Sequence, residues 1–141
     1  MVKNGASHAT PAKDALRAQR RLRVLVADDD RDQVATLAAL LRDEGYDVRT
    51  LYRGSDVPHA AHEFDPDVAL IDIGMPGMTG YDVARELRQE FGRKRPLLIA
   101  ITGWKQSSDR ILAKLAGFDH HVAKPFDPKD LLELIAGAGR L

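Results

Sequence analysis

The chain of 141 residues contains no cysteine, and this absence excludes several kinds of chemistry at once. Disulfide bonds, thiolate catalysis and cysteine-ligated zinc all require a residue that is missing. No apolar run approaches the roughly 18 residues that a membrane-spanning helix needs. The first residues also lack the apolar segment that directs a protein to secretion. We therefore predict a cytoplasmic protein that has no membrane partner.

Net charge is also absent, but the charges are unevenly distributed. Residues 1–23 contain six lysines and arginines and a single acid, Asp14. This stretch shows no apolar periodicity, so we predict that residues 1–21 form a disordered basic leader. It is short and has no aromatic residue, and we predict no nucleic-acid partner for it. The remaining residues are enough for one domain with a hydrophobic core.

From Leu22 onward, strand and helix patterns alternate. Short apolar runs predict strands at residues 23–27, 48–51, 68–73, 97–102 and 121–123. Capping residues and helical spacing predict a helix after each strand, and the fourth helix has an apolar stripe of Ile111, Leu112 and Leu115. Nearly continuous apolar strands with intervening helices indicate an α/β fold, with a doubly wound, five-stranded parallel sheet covered on both faces.

Charged residues follow several of these strands. Asp28, Asp29 and Asp30 come directly after the first strand, Asp72 ends the third and Lys124 follows the fifth. In an open α/β sheet, functional groups gather where the central strands end, and the first and third strands should be central. Acids that crowd one edge repel one another unless a cation is bound. Hard oxygen ligands without histidine or cysteine suit Mg²⁺.

The acids divide into different predicted roles. Asp29 and Asp72 are the expected direct ligands of Mg²⁺, with Asp28 acting through water and the backbone carbonyl of Gly74 as a further donor. Asp30 is expected to cap the first helix instead, because its spacing to the next residues fits a cap.

Asp72 is also the best candidate nucleophile, because carboxylates form aspartyl-phosphates. Phosphoryl transfer needs mainly positioning and charge neutralisation. Lys124 offers a positive charge for phosphate oxygens, and Thr102 at the end of the fourth strand offers a hydroxyl donor. Each of these residues alone has an ordinary structural explanation. Their placement at one edge of one sheet is what favours a phosphoryl site.

Four stretches of the chain resemble the receiver domain of two-component response regulators. They are Val24-Leu-Val-Ala-Asp-Asp-Asp, Ala69-Leu-Ile-Asp-Ile-Gly-Met-Pro-Gly-Met-Thr-Gly-Tyr, Ile99-Ala-Ile-Thr-Gly-Trp and Val122-Ala-Lys-Pro-Phe. The resemblance covers about Leu22 to Leu141, so residues 22–141 are assigned to a receiver domain. It implies the flavodoxin-like strand order 2-1-3-4-5.

The resemblance also implies roles for the site residues. Asp72 is the expected phosphoacceptor, Asp28 and Asp29 hold Mg²⁺, and Thr102 and Lys124 contact the phosphoryl group. The peptide bond before Pro125 is a candidate for the cis form.

Partners are implied in the same way. The donor would be a phosphohistidine on a histidine kinase or a histidine phosphotransfer protein. A downstream protein would bind the face formed by the fourth helix, the fifth strand and the fifth helix, and a homodimer is compatible with this. The domain would assist its own phosphorylation and autodephosphorylation without being a turnover enzyme.

The resemblance also draws attention to three further positions. His121 occupies a place where tyrosine or phenylalanine is commoner, so it is either a switch residue or an ordinary half-buried strand residue. Gly74 and Trp104 flank the path of water to an acyl phosphate, so both are expected to tune dephosphorylation.

Other functions are compatible with the same fold. The chain could be a receiver-like interaction module that is never phosphorylated, or a receiver cut from a hybrid sensor kinase. A phosphatase of the haloacid-dehalogenase type would need a second aspartate where Gly74 stands. A flavin carrier would need a phosphate-binding loop after the first strand, where the three aspartates would repel phosphate.

Overall fold

The computed structural model describes residues 20–103 and 107–138. Its strands are β1 (Arg23–Ala27), β2 (Asp47–Leu51), β3 (Val68–Asp72), β4 (Leu97–Thr102) and β5 (His120–Ala123). Its helices are α1 (Arg31–Asp43), α2 (Val57–Phe64), α3 (Gly80–Phe91), α4 (Ser107–Ala116) and α5 (Pro128–Ala138), with a short 3-10 helix (Gly54–Asp56) before α2. Trp104 and most of the predicted leader lie outside the described residues.

The five strands form one parallel sheet in the order β2-β1-β3-β4-β5, which confirms the predicted fold. In the register of the ladder, Ala27 pairs with Ile71, and Asp72 pairs with Ile101. The strands β1, β3 and β4 therefore end close to the same level. Loops that follow them meet at one edge of the sheet, and this edge contains the predicted site.

Two hydrophobic layers cover the sheet because alternate strand residues point to opposite faces. On one face, Leu25 and Ile71 pack with α2, α3 and α4. On the other face, Val26 and Leu70 pack with α1 and α5. Burying a side chain of this size stabilises the folded state by about 1.5–3 kcal/mol. The central strands are thus fixed from both sides, and so are the residues at their ends.

Capping residues start the helices as the sequence predicts. The Asp30 carboxylate accepts a hydrogen bond from the backbone N–H of Gln33 at 3.2 Å, and α1 begins after it. Thr79 and Asp82 form a reciprocal capping box at the start of α3. Gly45 has a φ of +94° where α1 ends, in the left-handed region that glycine tolerates best.

The prediction that the apolar stripe of α4 faces the core is wrong. Ile111, Leu112 and Leu115 are 61%, 50% and 78% exposed, whereas Ala113 and Ala116 are buried against the sheet. The alanine side chains are small and let the helix lie close to the core. The larger residues of the neighbouring positions then project outward.

A buried acid joins several chain segments at the opposite edge of the sheet, where the strands begin. Asp67 accepts a hydrogen bond from the backbone N–H of Arg23 at 2.8 Å and forms ion pairs with Arg20 and Arg95. Arg20, which belongs to the predicted leader, also pairs with Asp65 at 3.5 Å.

Among the described helices, none has the length and apolarity needed to cross a bilayer.

Candidate functional site

The site begins with three carboxylates that the sheet brings to one place. Asp28 and Asp29 follow β1, and Asp72 is the last residue of the neighbouring strand β3. One carboxylate oxygen from each residue lies within 4.8 Å of the others. Residues separated by more than 40 positions in the chain thus form one acidic crevice, which is defined here by Asp28, Asp29 and Asp72.

The three acids differ in their surroundings. Asp28 and Asp72 are buried, whereas Asp29 is exposed. The Oδ1 atom of Asp28 accepts a hydrogen bond from the backbone N–H of Asp30 at 3.0 Å. The Oδ1 atom of Asp72 accepts one from Gly74 N–H at 3.1 Å. These bonds hold one oxygen of each buried carboxylate and orient the other.

The second oxygens of Asp28 and Asp72 face Lys124. Its Nζ atom lies 3.0 Å from Oδ2 of Asp28 and 3.8 Å from Oδ2 of Asp72. The Lys124 backbone N–H donates to the carbonyl of Thr102 at 2.7 Å, which fixes the start of the loop after β5. The following Lys124–Pro125 peptide bond is cis. A single amine therefore contacts both buried acids of the crevice.

Burial raises the pKa of Asp72 to about 6, and the negative charge of Asp28 adds to this effect. The Gly74 N–H and the Lys124 charge act in the opposite direction but do not cancel it. An acid with this pKa carries a proton part of the time near neutral pH. A cation bound beside Asp72 would favour the ionised form that a nucleophile needs.

The donors of the crevice fit Mg²⁺. All three are carboxylate oxygens, and nitrogen and sulfur donors are absent from the cluster. Mg²⁺ usually takes one or two carboxylates and completes its shell with water, carbonyls and phosphate. The exposed Asp29 leaves the crevice accessible from solvent.

Two other predicted residues lie at the same edge. Thr102 ends β4 and is buried, next to the strand end that carries Lys124. Gly74 is exposed, and among the described residues a Cβ atom placed there would meet only Oδ1 of Asp72, at 3.8 Å. No other described residue therefore covers the approach to Asp72 past Gly74. Its carbonyl as a Mg²⁺ ligand stays a prediction, and Trp104 is not among the described residues.

His121 lies beside α4 rather than in the acidic crevice. Its Nε2 atom is buried and has no hydrogen-bond partner among the described residues. Burial lowers the pKa of His121, the charge of Arg110 lowers it further, and Asp109 opposes both. The charges that act on His121 thus belong to α4, and its role as a switch residue stays a prediction.

Gly80 supports the site and was not singled out from the sequence. A Cβ atom at Gly80 would lie 2.7 Å from the Cα of Ile73 and 2.8 Å from the carbonyl oxygen of Asp72. Only glycine lets the start of α3 approach the backbone of the phosphoacceptor candidate this closely. In the sequence, Gly80 follows a capping threonine and carries no further signal of such a contact.

A second feature that the sequence did not indicate is a cation–π contact at the same edge. The Arg31 guanidinium lies 4.1 Å from the ring centroid of Tyr52. Arg31 begins α1 and Tyr52 follows β2, so the pair comes from two different elements. Spacing along the chain could not have predicted it.

Comparison with known proteins identifies the family. The family model described as response regulator receiver domain matches residues 24–136, so this chain belongs to that family. The DNA-binding response regulator MtrA of Mycolicibacterium smegmatis is 38% identical over 112 residues, which are 79% of this chain and 48% of the relative. The chain thus spans about half the length of the curated relatives it matches. That relative is named as a DNA-binding protein. The prediction that this chain has no nucleic-acid partner is therefore not supported by the comparison.

Solved structures show the same fold. A CheY-like response regulator receiver domain protein from Methanospirillum hungatei JF-1 matches with a TM-score of 0.80 and 26% identity, over 86% of this chain and 95% of that one. The receiver domain of sensor histidine kinase PA1611 from Pseudomonas aeruginosa PAO1 has a TM-score of 0.78 and 26% identity, over 86% and 100%. In that structure a magnesium ion is coordinated in the active-site cleft. The predicted receiver fold and its link to two-component signalling are confirmed.

Proposed function

We propose that this chain is the phosphoacceptor of a two-component or phosphorelay pathway and is phosphorylated on Asp72. The observation that carries the proposal is the convergence of three carboxylates within 4.8 Å, with the Lys124 amine 3.0 Å and 3.8 Å from the two buried ones. This arrangement combines a nucleophile, a cation-binding set and a positive charge. Phosphoryl transfer needs these parts and little else from the protein.

The covalent step transfers one phosphoryl group from a phosphohistidine. An Oδ atom of Asp72 forms the new O–P bond, the P–N bond breaks, and its electron pair stays on the imidazole nitrogen of the donor. Lys124 offsets the charge of the phosphoryl oxygens, and the Thr102 hydroxyl donates to one of them. When bound by Asp28, Asp29, Asp72 and the Gly74 carbonyl, Mg²⁺ supplies positive charge against the acids and the phosphoryl oxygens.

The lifetime of the aspartyl-phosphate depends on access of water in this proposal. Gly74 has no side chain to cover the acyl phosphate, which shortens the lifetime. Trp104, two residues after Thr102 in the sequence, is proposed to act in the opposite direction. We also propose that residues 22–141 form the receiver domain and that residues 1–21 form a leader. The proposed location of the protein is the cytoplasm.

The proposed partners are a histidine kinase or histidine phosphotransfer protein as the donor and a downstream protein on the α4–β5–α5 face. Phosphorylation would shift the population between two states of that face. The domain is proposed to act on no external substrate, and to assist only the gain and loss of its own phosphoryl group.

The test uses acetyl phosphate and Mg²⁺ with intact-mass spectrometry. The expected result is a mass gain of one phosphoryl group, which disappears with EDTA or with Asp72→Asn. The exposed Asp47→Asn variant is the matched control and should label normally. Equal labelling of the Asp72→Asn variant would overturn the assignment of Asp72. A folded wild-type protein that stays unlabelled would favour the unphosphorylated interaction module instead.

A further inference from the structure

The large hydrophobic side chains that α4 exposes mark a surface outside the acidic crevice. Ile111 and Leu115, which are 61% and 78% exposed, lie one helical turn apart. Both line a groove of about 730 Å³ between α3 and α4. Leu112 is 50% exposed on the same helix but does not line this groove. Contiguous exposed apolar surface of this kind is typical of an interaction site.

Basic side chains surround these apolar residues. Arg85 and Arg93 line the groove from α3 and the loop after it, and Lys114 lines it from α4. All three are exposed. Only the side chain of Arg85 has an ion-pair partner among the described residues, the partly exposed Asp82 at 2.8 Å. The groove is therefore apolar along its α4 wall and positively charged at its rim.

The floor of the groove is held by Arg88, whose side chain is only 10% exposed. Its guanidinium donates to the carbonyls of Gly117 at 2.8 Å and Pro96 at 2.9 Å and to the Asp119 carboxylate at 2.7 Å. Among the described residues, Asp119 is the only acid that lines the groove, and its charge is neutralised by Arg88. Asp119 also accepts from the backbone N–H of Leu98 at 2.8 Å. The floor is thus preformed, and the unbalanced charge of the rim is positive.

We propose that the α3–α4 groove binds an amphipathic helix of a partner protein whose apolar residues are flanked by glutamate and aspartate. A helix that lays its apolar stripe into a groove is a common mode of recognition. The wall of Ile111 and Leu115 matches apolar residues one turn apart, and the rim of Arg85, Arg93 and Lys114 matches acids. The basic leader of this chain carries the same sign of charge as the rim, so it is a poor occupant.

This surface is separate from the phosphorylation chemistry. The groove contains none of the residues of the acidic crevice. Binding to it is therefore expected without a phosphodonor, and the proposal does not depend on the phosphorylation of Asp72.

The experiment uses two designed peptides of about five helical turns. One has leucines at helical i, i+4 and i+7 spacing flanked by glutamates, and the other replaces each glutamate by lysine. Fluorescence anisotropy of labelled peptides measures binding to the full chain. We expect the acidic peptide to bind and the basic peptide to bind at least about tenfold more weakly, because several exposed charge pairs act together.

Variants locate the binding surface. Leu115→Ser and the double variant Arg93→Glu with Lys114→Glu should each weaken the acidic peptide by about tenfold. The matched controls are Leu112→Ser on the same helix and Lys129→Glu on α5, and neither should change binding. Backbone amide shifts in NMR spectra should concentrate at residues 85–93 and 111–119.

Three outcomes would overturn the proposal. One is equal binding of the acidic and basic peptides, and another is amide shifts that leave residues 85–93 unchanged and map to β5 and α5 or to the acidic crevice. The third is a concentration-dependent dimer in analytical ultracentrifugation that dissociates in Leu115→Ser but not in Leu112→Ser. That last result would assign the groove to a second copy of this chain.

Discussion

Lys124 is hydrogen-bonded to Asp28 and not to the phosphoacceptor candidate Asp72. The Nζ atom is 3.0 Å from the nearer Asp28 oxygen and 3.8 Å from the nearer Asp72 oxygen. The amine therefore binds the Asp28 carboxylate, which is also an expected ligand of Mg²⁺. It must move from Asp28 towards Asp72 when it contacts a phosphoryl group, so cation binding and the position of Lys124 are linked.

Lys124→Ala is expected to raise the affinity for Mg²⁺ by about three- to tenfold, because a positive charge beside two of the proposed ligands is removed. Isothermal titration calorimetry in low salt measures the change. Lys129→Ala, which removes an exposed lysine from α5, is the control and should have little effect. A lower Mg²⁺ affinity in Lys124→Ala would instead mean that the amine mainly holds the acids in position.

Asp29→Ala should weaken Mg²⁺ binding more than Asp28→Ala does. The Asp28 carboxylate already accepts hydrogen bonds from Asp30 N–H and Lys124, whereas Asp29 is exposed and has no side-chain hydrogen bond or ion pair among the described residues. The same calorimetric titration compares the two variants, with Asp47→Ala as a control acid. The reverse order of affinities would make Asp28 the principal ligand.

Asp72→Asn should stabilise the metal-free protein at about pH 8. The folded-state pKa of Asp72 is raised to about 6 from 3.8, so the unfolded chain ionises first and stability falls as pH rises between these values. A difference of about two pH units corresponds to at most about 3 kcal/mol, and we expect a gain of roughly 1–3 kcal/mol. The gain should shrink below about pH 4, where Asp72 is protonated in both states.

Urea denaturation in EDTA at several pH values measures this gain. Added Mg²⁺ should reduce the difference between the variant and the wild type, since the ion favours the charged carboxylate. A gain that is the same at every pH would show that the charge of Asp72 is not its cause.

His121→Phe should raise the free energy of unfolding by about 1–2 kcal/mol near pH 7.5. The replacement removes the buried Nε2 atom, which has no hydrogen-bond partner among the described residues, so a desolvation cost disappears and no hydrogen bond is lost. The pKa of His121 is lowered from 6.5 in the folded state, so the unfolded chain gains the proton first as pH falls. The wild type therefore loses stability below about pH 6.5. The benefit of His121→Phe should therefore grow towards about pH 5.5.

Thermal denaturation of His121→Phe and of His120→Phe provides the comparison. His120 is exposed on the same strand, so its replacement should be nearly neutral. A smaller benefit of His121→Phe at low pH would contradict the lowered pKa.

The sheet was predictable because its apolar strands alternate with capped helices and leave few other solutions. Residues such as Asp72 and Lys124 were found because each follows a buried strand, and a parallel sheet brings strand ends together. The exposed face of α4 was not predictable, since the helical spacing of Ile111, Leu112 and Leu115 indicates an apolar stripe but not whether the stripe is covered. The small residues Ala113 and Ala116 determine which side packs.

Contacts between distant elements were also beyond the sequence. Arg88 and Asp119 are far apart in the chain, and nothing in their neighbourhood predicts that their side chains form an ion pair at 2.7 Å. The same holds for Asp67, whose two arginine ion-pair partners, Arg20 and Arg95, come from two distant segments. Charged residues are common on surfaces, so only the folded structure distinguishes a specific ion pair from solvated side chains.

The ion pairs of Asp67 have a practical consequence for experiments on this protein. They hold Arg20, and with it the entry of the chain into the domain, about one strand length or roughly 16 Å from the edge that carries Asp72. A fluorophore attached next to Arg20 would lie on the far side of the sheet from Asp72. Immobilising the protein through that end should leave phosphotransfer unhindered.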